Sequence, residues 1–178
     1  KAFPGTKTAS KLASILAAYP DIPASRSHHS SAPGGLILHT TKALAHSAPL
    51  LAMLPDPKIG PVAILAHDIG KIVTLSTQGA GRPHDIASAD IVAAIPTVKE
   101  EFDETTLRSL LLAIRHQHSS AEIPVNAPPL AHTILQFIKK ADFAAVAEET
   151  REAAEKIKGA TEEIINSFPF LLPDLNVN

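Results

Sequence analysis

Apolar residues recur at helical spacing along most of the chain, and nowhere do they alternate convincingly as a strand requires. Residues 8 to 19 carry Leu12, Ile15, Leu16 and Tyr19 on one stripe, closed by Pro20. Asp21 to Pro33 is rich in Pro, Ser and His and reads as a loop. Gly34-Gly35 opens a helix through Leu36, Leu38, Ala43 and Leu44 that Pro49 should kink or end near Ala48. The turn residues Pro55, Asp56 and Pro57 precede a helix in which Val62, Ala63, Ile64, Leu65, Ala66, Ile69, Ile72 and Val73 cover nearly every azimuth, so it should be buried on most sides. After a loop at Ser76 to Gly81, Pro83 restarts a helix through Ile86, Ala87, Ile91 and Ala94 that ends before Pro96. Leu107, Leu110, Leu111 and Ile114 form the next stripe, with Asp103 and Glu104 at its N-terminal end. The longest candidate is Leu130 to Lys158, stopped by Gly159. A short helix around Thr161 to Phe168 follows, then a tail with Pro169 and Pro173. Six or seven helices make the expected fold all-α, a single helical bundle.

Polar residues inside these stripes carry the candidate chemistry. His67 and Asp68 interrupt the most apolar helix, and a buried carboxylate is costly unless it is paired, hydrogen-bonded or bound to a metal. Residues adjacent on a helix lie about 100° apart, so both side chains can lean toward one cation beside it. Further candidates, each on its own predicted helix, are His39, His84, His116 with His118 nearby, and Asp142, which shares a face with Leu135, Ile138, Ala145 and Val146. The charged run Glu148, Glu149, Arg151, Glu152, Glu155, Lys156 reads as a solvated helix face with some i,i+4 pairing. His46 and His132 read as structural.

Composition narrows the chemistry. The 178 residues, long enough to bury a substantial core, suit one domain. With 16 basic and 18 acidic residues and a net charge of -2, the chain lacks the positive excess of a dedicated duplex DNA binder. It has no cysteine, so a metal would rely on His, Asp or Glu. No apolar stretch approaches the roughly 20 residues of a membrane span, and the expected location is cytoplasmic, alone or as a soluble domain of a larger protein.

The run His67-Asp68-Ile69-Gly70-Lys71, with histidines before and after it, resembles the HD-domain metal-dependent phosphohydrolases. The resemblance extends from about His28 to Val146 through the order His, His-Asp, His, His, Asp. It is strengthened by the stretch HHSSAPGGLILHTTKAL, which is similar to the subgroup related to bacterial exoribonucleases and conjugation-associated HD proteins. The resemblance implies an HD core at 28–158, preceded by a helix and loop at 1–27 and followed by a helix and tail at 159–178. It implies metal ligands His39, His67, Asp68, His84, His116 and Asp142, with His118 open as an alternative, and one or two divalent ions, among which Mn, Fe, Mg, Ni and Zn suit such donors. Asp68 is then the bridging, catalytic carboxylate, and Lys71 a cation for the phosphate in the transition state. Arg115, His28 and His29 become phosphate contacts. The chain departs from the family where Gln117 separates His116 from His118, in place of the adjacent histidines common in two-metal members. The implied activity is hydrolysis of a phosphoester, of a nucleotide or short oligonucleotide, with dinucleoside polyphosphate hydrolysis as a second enzyme reading. The alternative from another class is a catalytically weak regulatory or ligand-binding HD module of a larger signalling or membrane-associated protein.

Overall fold

The computed structural model describes residues 4–25, 31–76, 83–118 and 123–167, with side chains through 163. His28 and His29 lie outside the described residues. Within them the regular structure is entirely helical, in agreement with the all-α expectation. No described helix is long and apolar enough to cross a membrane.

Helix α1 (Lys7–Ala17) buries Leu12 and Leu16, and Thr6 caps it by accepting from the Ala9 N–H at 2.9 Å. Glu101 closes the same end from across the fold, its carboxylate accepting from the backbone N–H groups of Lys7 (2.5 Å) and Thr8 (2.9 Å). Gly34, at φ 80°, makes the left-handed entry to α2 (Gly35–Ser47) that a side chain would resist. As Pro49 demands, α2 gives way to a 3-10 segment, Ala48–Met53.

The apolar stretch that reads as one helix is two. Helix α3 (Ile59–His67) ends at His67, and Asp68 (φ -111°, ψ 2°) leaves the helical region before α4 (Lys71–Ser76) begins. The Lys71 N–H donates to the Asp68 carbonyl at 2.9 Å across this tight turn. Downstream come α5 (His84–Ala93), a short α6 (Pro96–Glu101) begun by a proline in its first turn, and α7 (Glu104–Arg115). Asp103 caps α7, accepting from the Thr106 N–H at 2.7 Å.

Helix α8 (Pro129–Ser167) is continuous, contrary to the expected stop at Gly159. Gly159 faces open space, and an exposed glycine inside a helix costs only about 1 kcal/mol where no breaker follows it. The first half of α8 is the spine of the bundle, packing on α2, α3 and α7. Ala131, Ile134, Phe137, Ile138, Ala141 and Ala145 lie buried there against Leu36, Ile59, Ile64, Leu110 and Ile114. This packing fixes one face of α8 opposite α2 and the end of α3, and sets the position of the polar residues on that face.

Candidate metal centre

The end of α3 carries the pair on which the site is built. His67 is fully buried and Asp68 is 2 % exposed. The Nδ1–H of His67 donates to the Ile64 carbonyl at 2.6 Å, so its Nε2 is the nitrogen offered to the site. His39, on α2, reaches the same place: its Nε2 lies 3.4 Å from His67 Nε2, 3.7 Å from Asp68 Oδ2 and 3.0 Å from Asp142 Oδ1, on α8. His67 Nε2 lies 3.5 Å from Asp68 Oδ2 and 4.0 Å from Asp142 Oδ1. Three elements remote in sequence, α2, the end of α3 and α8, thus bring four donor atoms together. His39, His67 and Asp142 could hold a metal ion.

A second group faces the other oxygen of Asp68. Its Oδ1 lies 3.1 Å from His84 Nε2 and 3.7 Å from His118 Nε2, and these three residues could likewise hold an ion. Although Oδ1 and His84 Nε2 are within reach of each other, neither makes an aligned hydrogen bond among the described residues. Donor atoms that approach without pointing at one another suit a shared ligand. Bonds of about 2.0–2.2 Å to one ion leave neighbouring donors roughly 3 Å or slightly more apart. The charges fit as well: the carboxylates of Asp68 and Asp142 come together here, and the Lys71 ammonium lies 2.5 Å from Asp68 Oδ2. The donor set, imidazole and carboxylate only, suits Mn, Fe, Mg, Ni or Zn.

The surroundings set the protonation of each group. Burial pulls the His39 pKa down, but the hydrogen bond to Asp142 and the charges of Asp68, Asp142 and Glu149 outweigh it and hold the pKa above the ordinary value. His67 goes the other way, because burial lowers its pKa more than the neighbouring carboxylates raise it. Asp68 is held well below the usual carboxylate range. Burial works against its charge, but the His67 charge, the nearness of His118 and His84, and Lys71 prevail. The site therefore keeps an ionised carboxylate at its centre.

Several expected residues fall elsewhere. His116 joins neither group and His118 does, because α7 ends at Arg115 and residues 116–118 run through a turn that does not continue the helical stripe. Gln117 is buried, and its side-chain amide donates to the His67 carbonyl, so it holds the α3 terminus in place and belongs to neither donor group. Ser88 supports the same carbonyl, donating to it at 3.0 Å while accepting from the Gly70 N–H at 2.8 Å. Arg115 turns away to Asp90, 3.0 Å distant. Lys71 does line the pocket.

The charged run of α8 is the expected solvated face only in part: Arg151 and Glu155 are exposed and form an i,i+4 pair at 4.0 Å. Its other glutamates face α2: Glu149 is 6 % exposed and bonds His39 Nδ1 at 3.1 Å, Glu148 bonds His46 Nε2 at 2.6 Å, and Glu152 lies 2.5 Å from the ammonium of Lys42. The available signal was register: Glu149 lies seven residues after Asp142 and four after Ala145, on their face of the helix. Nothing in the local sequence marked Ser88.

Both donor groups open into a cavity of about 330 Å³, with Lys71, Asp142 and His118 on its polar side and Ala24, Leu75 and Val146 among its apolar walls. This volume is at the lower end for small-molecule sites. Comparison with family models, with curated proteins and with solved structures gave no match.

Proposed function

We propose that this chain is a metal-dependent phosphohydrolase of HD type that cleaves a phosphoester in a nucleotide or short oligonucleotide. The observation that carries the reading is Asp68: a buried, ionised carboxylate with one oxygen toward His39 and His67 and the other toward His84 and His118. His39, His67 and Asp142 would hold one ion, with Asp68 Oδ2 3.7 and 3.5 Å from the two imidazoles as a fourth donor, and Asp68, His84 and His118 would hold a second. Divalent ions supply Lewis acidity, making water a nucleophile near neutral pH and polarising a phosphoryl oxygen. Lys71 sets an ammonium on the cavity wall where an anionic phosphoryl group can pair with it. Ala24, Leu75 and Val146 give the same cavity apolar walls, and a lower local dielectric strengthens such a pairing. His84, half-buried beside Asp68, holds its Nε2 toward the cavity, and the ionised Asp68 needs no proton removed before it can ligate.

Elemental analysis of the purified chain, followed by a panel of nucleotides and phosphodiesters with added Mn, tests the reading. Bound divalent metal together with turnover that Asp68→Ala abolishes is the expected result. A wild-type chain that takes up no added Mn, or an Asp68→Ala variant with full turnover, would overturn it. Metal uptake without turnover of any phosphoester would favour a regulatory module.

A further inference from the structure

Glu149 is a buried acid that the ion-binding groups do not use. Its neighbours on α8 explain themselves: Glu148 and Glu152 lie at partly exposed positions and pair with His46 and Lys42. Glu149 instead faces inward, with Oε1 3.1 Å from His39 Nδ1 and with Oε2 lacking a hydrogen-bond partner among the described residues. Burying a carboxylate is costly, and the bond to His39 is the one hydrogen bond among the described residues that offsets it. Helix α8 thereby holds both nitrogens of one imidazole, with Asp142 at Nε2 and Glu149, two turns later, at Nδ1.

We infer that Glu149 is a positioning residue for His39: by accepting the Nδ1–H it fixes the tautomer and ring plane in which Nε2 presents its lone pair to the ion. The inference rests on the reading of His39 as a metal ligand. His67 is oriented by a backbone acceptor, the Ile64 carbonyl, whereas His39 has the side-chain carboxyl oxygen of Glu149, and a carboxylate in that place raises the basicity of a ligating imidazole. The steric role a buried side chain plays in any helix interface would be met by an isosteric amide or by leucine. The positioning role is met in full only by a carboxylate.

The test uses the full chain loaded with Zn, which is diamagnetic. Zn affinity is measured by chelator competition, and nitrogen–proton correlation spectra of the imidazoles report which nitrogen of His39 carries the proton. In the wild type, His39 should be protonated at Nδ1 and bound through Nε2. Glu149→Gln retains an acceptor and the geometry but not the charge, so it should keep that pattern and lose about fivefold in affinity. Glu149→Leu has no acceptor and should lose about 10- to 100-fold, with the His39 pattern altered. Wild-type affinity in the folded Gln variant, or Zn bound through Nδ1 of His39 in the wild type, would overturn the inference whether or not the Leu variant folds. Failure of the wild type to take up Zn at all would instead remove the metal reading beneath it, and the positioning role with it.

Discussion

Replacing Gly70 by alanine should damage the fold and the site together, because the turn after Asp68 lies against α5 with no room for a methyl group. A Cβ at Gly70 would overlap the His84 carbonyl oxygen and lie 2.6 Å from Ser88 N and 2.9 Å from Ser88 Oγ. Two of these three atoms are backbone, so relief requires α5 to move away from the turn. Overpacking of this kind costs about 1–3 kcal/mol. Moving α5 also strains two buried hydrogen bonds, Gly70 N–H to Ser88 Oγ and Ser88 Oγ–H to the His67 carbonyl, at about 1 kcal/mol each. The expected loss is therefore about 3–5 kcal/mol, a large part of the roughly 5–15 kcal/mol that keeps a domain folded. With a urea slope of about 2 kcal/mol/M, the midpoint falls by about 1.5–2.5 M. His84 opens the displaced helix, so its distance to Asp68 grows and divalent-metal uptake at the second group weakens more than at the first. Urea unfolding and metal titration of Gly70→Ala, with Gly5→Ala as a control where nothing lies within 4 Å of the added Cβ, measure both effects. A midpoint within 0.2 M of wild type, about 0.4 kcal/mol at that slope, with unchanged metal binding would refute the close approach of the turn to α5.

Three further outcomes are expected. The Glu101 carboxyl is disfavoured by burial, but hydrogen bonds from the Thr8 hydroxyl and the Thr8 and Lys7 N–H groups, with the Lys7 charge, hold its pKa below the ordinary value. Its contribution, about 1 kcal/mol as for other helix caps, is thus fully present above the unfolded pKa and lost as pH falls through the lower folded one. Glu101→Gln should be less stable than wild type at pH 7 and indistinguishable from it in the acid, and parallel stability curves from pH 7 to pH 3 would contradict this. Gln117→His, which restores adjacent histidines, should cost about 1 kcal/mol by loosening the His67 carbonyl and should not raise metal stoichiometry; a gain of one ion per chain by elemental analysis would count against the assigned role of Gln117. Gly159→Ala should raise helicity in circular dichroism, since an exposed helix position gains up to about 1 kcal/mol from alanine, while leaving the global unfolding midpoint unchanged; a loss of helicity would be evidence for a break at this residue.

The all-α class, the stripes of α1, α2 and α7, the stop at Pro49 and the cap at Asp103 were legible in the chain because each depends on neighbours within one or two turns. The prominence of His67, Asp68, His39, His84 and Asp142 was legible for a related reason: a polar residue in an apolar stripe stands out wherever the stripe packs. Other features were decided only in three dimensions. Helix α3 breaks after His67 because Gly70 lets the turn press against α5, and hydrophobic periodicity runs straight through that break. His118 joins the site and His116 does not because the path of a turn past a helix end follows no period. Glu149 is buried because α8 lies on α2, while Arg115, at the end of α7, pairs with Asp90 of α5 at the surface. A charged residue on an amphipathic helix faces solvent or a partner according to which helix covers it, and that choice belongs to the packing of the whole bundle.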